Sequence, residues 1–213
     1  MNFNELKTLL ESLSLEGSLT KTSTDDGRIQ SAESEHLICD LLCNTFQDNE
    51  NVKVVKAPKP RFWYDIALKI NDNFYPINIK ITQGQTDNIS SKKGMFYALT
   101  GLDPETISGL SQWKKYNTVL SENFDANIDT DYYFLVYFKN TQKFLFTSLK
   151  RLDTLVPNGN NLPFQCCWNK NIEPTQRTRE EQSCYIRNTF IESFKKKTSG
   201  LDILLQWEKQ FNE

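Results

Sequence analysis

The stretch that most restricts what this chain can fold into is Arg61–Ile81, RFWYDIALKINDNFYPINIKI. Ile66, Leu68 and Ile70, and then Ile77, Ile79 and Ile81, recur at every second position. That period marks two half-buried β-strands. Asn71-Asp72-Asn73 supplies the turn between them. Asp65 and Lys69 take the opposite face of the first strand, and Asn78 and Lys80 share the opposite face of the second. A tight turn about Asp72 sets Asp65 against the Asn78–Lys80 segment. The face requirement selects Asn78 or Lys80 as its cross-strand partner, with Cβ atoms roughly 5 Å apart. An acid, a carbonyl-bearing amide and an ammonium then converge on the polar side of an apolar hairpin.

Such a cluster suits metal-assisted phosphodiester hydrolysis. A hard divalent cation takes a carboxylate and neutral carbonyls as ligands and keeps some of its waters. It polarises a phosphoryl oxygen and acidifies a bound water, while a neighbouring lysine orients that water and balances developing charge. The plainer alternative is an amphipathic hairpin whose polar face meets solvent.

In these residues the chain resembles the PD-(D/E)XK nucleases, in which one strand carries a first acid and the next carries acid-X-Lys. Asp65 matches the first acid and Lys80 the lysine. Asn78 stands where the family has Asp or Glu, and Tyr64 where it has Pro, with Pro60 further back. The likeness is to the EcoRV-like branch of type II restriction endonucleases. Besides the hairpin, RIQSAESEHL (Arg28–Leu37) is similar to that branch's first helix, and EPTQRTREE (Glu173–Glu181) to the stretch before its late helix.

The resemblance implies an α/β fold, a central mixed β-sheet flanked by helices with a restriction-endonuclease-like core. It implies Mg²⁺-dependent cleavage of a palindromic double-stranded DNA site by a homodimer, leaving 5′-phosphate and 3′-hydroxyl ends. A cognate DNA methyltransferase is the implied functional partner. Asp65, Asn78, the Ile79 carbonyl and Glu33 would form or support the metal shell, with Glu35 as the substitute for Glu33. Lys80 would position the attacking water. An amide at position 78 brings no charge, so a further carboxylate has to compensate. Rival readings are a non-cleaving DNA-binding protein on the same scaffold and a structure-selective repair nuclease.

With 213 residues, one domain spanning 1–213 is expected. No apolar run is long enough to span a membrane, and MNFNELKTLLESL is not a signal pattern. Five cysteines without Cys-x-x-Cys spacing fit a reduced, cytoplasmic chain lacking structural zinc. The lone His36 excludes chemistries that need several histidines. A net charge of −2 leaves DNA binding to local clusters, at Lys53–Arg61, Lys92-Lys93, Lys139–Arg151, Lys170–Arg179 and Lys195–Lys197. No Gly-rich phosphate loop or nucleophile elbow is present.

Along the chain, apolar spacing predicts helices over 3–14 and about 30–47, with a Ser/Thr/Asp-rich loop at Gly17–Arg28 between them. Glu33 lies at the edge of the second helix's apolar stripe, where it is either a metal-supporting acid or a solvated first-turn carboxylate. Val52–Lys56 reads as a strand. Thr82–Gly94 reads as a polar loop whose Gln83, Asn88, Ser91, Lys92 and Lys93 could meet base edges or phosphates. Phe96–Leu102 returns to the core, and a helix is expected over Pro104–Val119. Tyr132–Phe138 reads as a buried central strand paired with Lys143–Phe146, and Phe164–Trp168 as another strand. Asn169–Arg177 then brings Asn171, Gln176 and Arg177, with Arg179 just beyond, onto a helix start capped by Thr178 and Glu181. A polar, basic loop at a helix start suits DNA recognition. Leu201–Phe211 closes the chain as an amphipathic helix suited to a subunit interface.

Overall fold

The computed structural model describes residues 3–15, 27–89, 92–160, 163–201, 203 and 204, with the side chains of 27–33 outside that description. Two helices come first, α1 (Phe3–Glu11) and α2 (Gly27–Phe46). Three strands follow, β1 (Val52–Lys56), β2 (Ile66–Ile70) and β3 (Asn73–Thr82). A short strand β4 (Thr86–Ile89) and helices α3 (Lys92–Thr100) and α4 (Trp113–Asn123) lead to β5 (Tyr133–Phe138) and β6 (Lys143–Ser148). The chain continues through β7 (Val156–Pro157) and β8 (Phe164–Cys167) into α5 (Arg179–Lys197).

The main sheet is mixed, in the order β1-β2-β3-β5-β6. Only β3 and β5 run parallel, with Ile77 opposite Tyr133 and Thr82 opposite Phe138. A parallel neighbour needs a crossover, and the segment with α3 and α4 provides it. β5 is buried from Phe134 to Phe138 because both sheet faces are covered. On one face, Leu6, Leu10, Ile38 and Leu42 of α1 and α2 meet Ile66, Leu68, Ile77 and Ile79. On the other, Met95, Phe96, Tyr116 and Phe190 of α3, α4 and α5 meet Ala67, Phe134 and Val136. The chain is thus a five-stranded mixed sheet flanked by helices. Among the described residues no helix is long and apolar enough to cross a membrane.

The hairpin turns on two residues, with Ile70 opposite Asn73 and Asn71 at φ 53°. Asparagine tolerates that left-handed backbone. Pro76 sits in an interior strand without loss, since β5 pairs with β3 only from Ile77 onward.

Two expectations are corrected. Thr82–Gly94 is not a continuous loop: β4 pairs antiparallel with β8 in a second sheet, β4-β8-β7, and α3 begins at Lys92. The helix expected from Pro104 begins only at Trp113. Gly109 at φ 75° interrupts the right-handed backbone just before it. The helix expected over Leu201–Phe211 lies largely outside the described residues.

Candidate active site

A β-bulge at the start of β2 places the first acid. Within the strands Ile66 faces Ile77, yet the Asp65 N–H also donates to the Ile77 carbonyl at 3.0 Å. Ile77 therefore opposes two residues, Asp65 and Ile66. On the other side Asp65 stays in step with β1, its carbonyl accepting from the Ala57 N–H at 3.1 Å. A bulge breaks strict alternation and re-aims one side chain. Here it carries the Asp65 carboxylate to the exposed edge of β3, where Oδ2 accepts from the Ile79 N–H at 2.8 Å and from Asn78 Nδ2 at 2.9 Å.

Burial pushes the Asp65 carboxyl up to about 6; the Ile79 hydrogen bond opposes this, Glu35 adds to it, and Lys80 opposes it. Four groups from two strands and a helix thus share one electrostatic neighbourhood. Lys80 is half-buried on β3, and no hydrogen bond or ion pair ties its ammonium among the described residues. Because the N–H and C=O of one strand residue point to the same neighbour, the Ile79 carbonyl lies on the edge that Asp65 occupies. Cys39 of α2 borders the site too: burial, and then the Asp65 charge, push its thiol up to about 12.

Asn78 carries the most telling detail. Its Nδ2 serves Asp65, while its Oδ1 is buried with no hydrogen-bond partner among the described residues. A buried acceptor left without a donor costs on the order of 1–3 kcal/mol. A cation at this edge would satisfy it, once the amide turned its oxygen toward Asp65. The donor set is one carboxylate, one amide carbonyl and one backbone carbonyl, with Glu35 near; this is oxygen chemistry and fits a hard divalent ion. Among the described residues no cluster of three or more His, Cys, Asp or Glu forms a metal cage on its own. Glu33 belongs to α2, but its side chain lies outside the described residues; Glu35 is the α2 carboxylate whose charge reaches Asp65.

The residues expected to meet DNA divide into two groups. Gln83 and Gln176 are exposed, as is Asn88, whose Oδ1 accepts from Asn158 and Gln165 at 2.8 and 3.1 Å. Ser91 lies outside the described residues. The others are engaged within the fold. Lys92 donates to the Ser111 carbonyl and lies 4.3 Å over the Trp113 ring, and Lys93 pairs with Glu105. Asn171 is buried, its amide spent on Thr154, Cys166 and Cys167. Arg177 donates to the Asp153 carbonyl at 2.8 Å and stacks on Tyr185, and Arg179 pairs with Asp129. Sequence reasoning missed the bulge, because no local pattern marks the extra residue at Asp65. In the sequence Glu35 stood only as the substitute for Glu33, two residues further along the same helix.

No family model matches the chain, and no curated protein is significantly similar to it.

Proposed function

We propose that this chain is a Mg²⁺-dependent deoxyribonuclease of the type II restriction class, hydrolysing phosphodiester bonds at a palindromic site in double-stranded DNA. The observation that carries this reading is an Asp65 carboxylate reached by the Lys80 charge, at a strand edge that also holds a buried, unsatisfied Asn78 carbonyl. The EcoRV-like pattern in the sequence supports it, and Glu173–Glu181 resembles a SwaI stretch that precedes a late helix.

Asp65, the Asn78 and Ile79 carbonyls, and Glu33 or Glu35 would hold the ion. When bound, it would polarise a phosphoryl oxygen and acidify a coordinated water. Asp65 is ionised at neutral pH, since its carboxyl titrates near 6. The Ile79 N–H fixes the direction of its Oδ2. Lys80, its ammonium without a partner among the described residues, would orient the attacking water and offset charge gathering on the phosphoryl oxygens. The water oxygen bonds to phosphorus, the bond to the 3′ oxygen breaks, and that oxygen leaves with a proton, giving a 5′-phosphate. A two-fold dimer matched to a two-fold site is the physical reason for a homodimer. Gln83, Asn88 and Gln176 are the exposed side chains suited to base edges.

One contact favours a second reading. The Asn78 amide donates to Asp65 and so fills a position that a cation would need, as a non-cleaving DNA-binding protein would allow. Incubating a sequenced plasmid with the protein and Mg²⁺ separates the two. Discrete fragments with 5′-phosphate ends, lost on chelation, support the nuclease. A shifted but intact plasmid contradicts it.

A further inference from the structure

A cavity of about 850 Å³ lies away from Asp65, at the starts of β3 and β5. That volume suits a small molecule. Three phenols line it, Tyr75, Tyr97 and Tyr133, together with Arg151 and the buried Asp131. The bodies of Tyr75 and Tyr97 are packed away, only 8% and 9% exposed. None of the three hydroxyls is sealed inside the protein, and none has a hydrogen-bond partner among the described residues. A phenol held this tightly usually finds a partner for its O–H.

Arg151 stands out among the cations of this wall. Arg179 is spent on Asp129, Arg177 on the Asp153 carbonyl, and Lys150 on the Ile128 carbonyl at 2.8 Å. The Arg151 guanidinium lies 4.7 Å over the Phe3 ring and has no ion pair among the described residues, so its fork of donors is unused. Burial, then Asp131, Tyr75 and Tyr97, hold the Tyr133 phenol well up, and Arg151 alone draws it down. All of these groups line the one cavity, with the Tyr75 and Tyr133 rings 5.0 Å apart. Held protonated, the phenols can donate, and with the guanidinium they form a set of donors that a single oxyanion would accept. The rings of Phe74 and Tyr97, edge to face at 6.0 Å, give the same cavity flat apolar walls, and Asp131 an acceptor. Oxyanion donors beside flat walls match a phosphate joined to a heterocycle.

We propose that this cavity binds a nucleoside monophosphate, with its phosphate on Arg151 and the three tyrosine hydroxyls and its base against the aromatic walls. The ligand is either a free mononucleotide or the 5′-phosphorylated end of a DNA strand, since both carry the same chemistry. The site does not depend on Asp65 or on cleavage.

Calorimetric titration of the full chain tests it, with deoxyadenosine 5′-monophosphate, deoxyadenosine, inorganic phosphate and a 5′-phosphorylated oligonucleotide as separate ligands. The monophosphate is expected to bind more tightly than the nucleoside or phosphate. Arg151→Gln should weaken it about tenfold or more, as loss of a charge-assisted contact does. Tyr133→Phe should weaken it less, and thermal unfolding would show both variants folded. Should Arg151→Gln not fold, Arg151→Lys and Tyr75→Phe carry the same comparison. Tighter binding of the oligonucleotide, weakened by the same substitutions, assigns the site to a strand end; preference for the free nucleotide assigns it to an effector. No binding of the monophosphate, binding indifferent to these substitutions, or phosphate binding as tightly as the nucleotide overturns the proposal. Asp65→Ala should bind the monophosphate as the unaltered chain does, which separates failure here from failure of the nuclease reading.

Discussion

Asp65 is held where a carboxylate is costly: burial raises it from 3.8 to about 6 even though two donors serve one of its oxygens. A raised acid binds protons more readily in the folded chain than in the unfolded one. The contribution of this group to stability is therefore greatest below the unfolded value of 3.8, falls as pH rises through the window up to about 6, and stays reduced above it. Asp65→Asn removes that charge, keeps an acceptor for the Ile79 N–H, and lets the Asn78 amide turn its orphaned oxygen to a donor. At pH 7.5 this variant should be more stable than the unaltered chain by on the order of 1–3 kcal/mol, with the gap closing near pH 4. Urea denaturation at the two pH values checks it, and equal stability at pH 7.5 would remove the burial cost from the argument. Cleavage by the unaltered chain should fall as pH drops through about 6, as the carboxyl protonates. Asn78→Asp sets a second carboxylate beside the first. Without metal its unfolding midpoint should drop, and Mg²⁺ should restore it more strongly than in the unaltered chain. A midpoint indifferent to Mg²⁺ would place the ion elsewhere.

Among the elements, those written in local chemistry were legible in the sequence. The alternating isoleucines gave β2 and β3, and Thr178 with Glu181 forms the capping box of α5, with Thr178 N–H to Glu181 Oε2 at 2.8 Å. What was not legible depends on distant partners. β4 looks polar enough for a loop, but its backbone is satisfied by β8, with Thr86 opposite Cys167. The bulge at Asp65 is set by the register of two strands, which alternation alone cannot reveal. Asn171 and Arg177 looked like DNA contacts because their segment is dense in polar groups. A folded loop has to satisfy its own backbone, and these two do much of that work. Asn171→Ala should accordingly destabilise the protein by on the order of 2–3 kcal/mol, read as a lower urea midpoint, while the folded variant keeps its DNA affinity. Unchanged stability with weakened DNA binding would return Asn171 to the recognition surface.

At the scale of the molecule, the sheet lets one strand serve two ends. β3 brings Asn78 and Lys80 to the bulge edge, while its start at Asn73–Tyr75 lines the phenol-walled cavity. Both positions rest on the same core, closed by α1 and α2 on one face and by α3, α4 and α5 on the other. A rigid sheet is what catalysis at an edge requires, because an acid, an amine and a phosphate have to be held to within about 0.5 Å. The claim that Asp65 and Lys80 act on one phosphodiester is tested most directly by single-turnover cleavage of a mapped duplex in Mg²⁺. The unaltered chain, Asp65→Ala and Lys80→Ala should be compared after circular dichroism has shown all three folded. Both substitutions should slow the bond-breaking step by about a hundredfold or more while duplex binding persists. Cleavage by either variant at the rate of the unaltered chain would contradict the assignment.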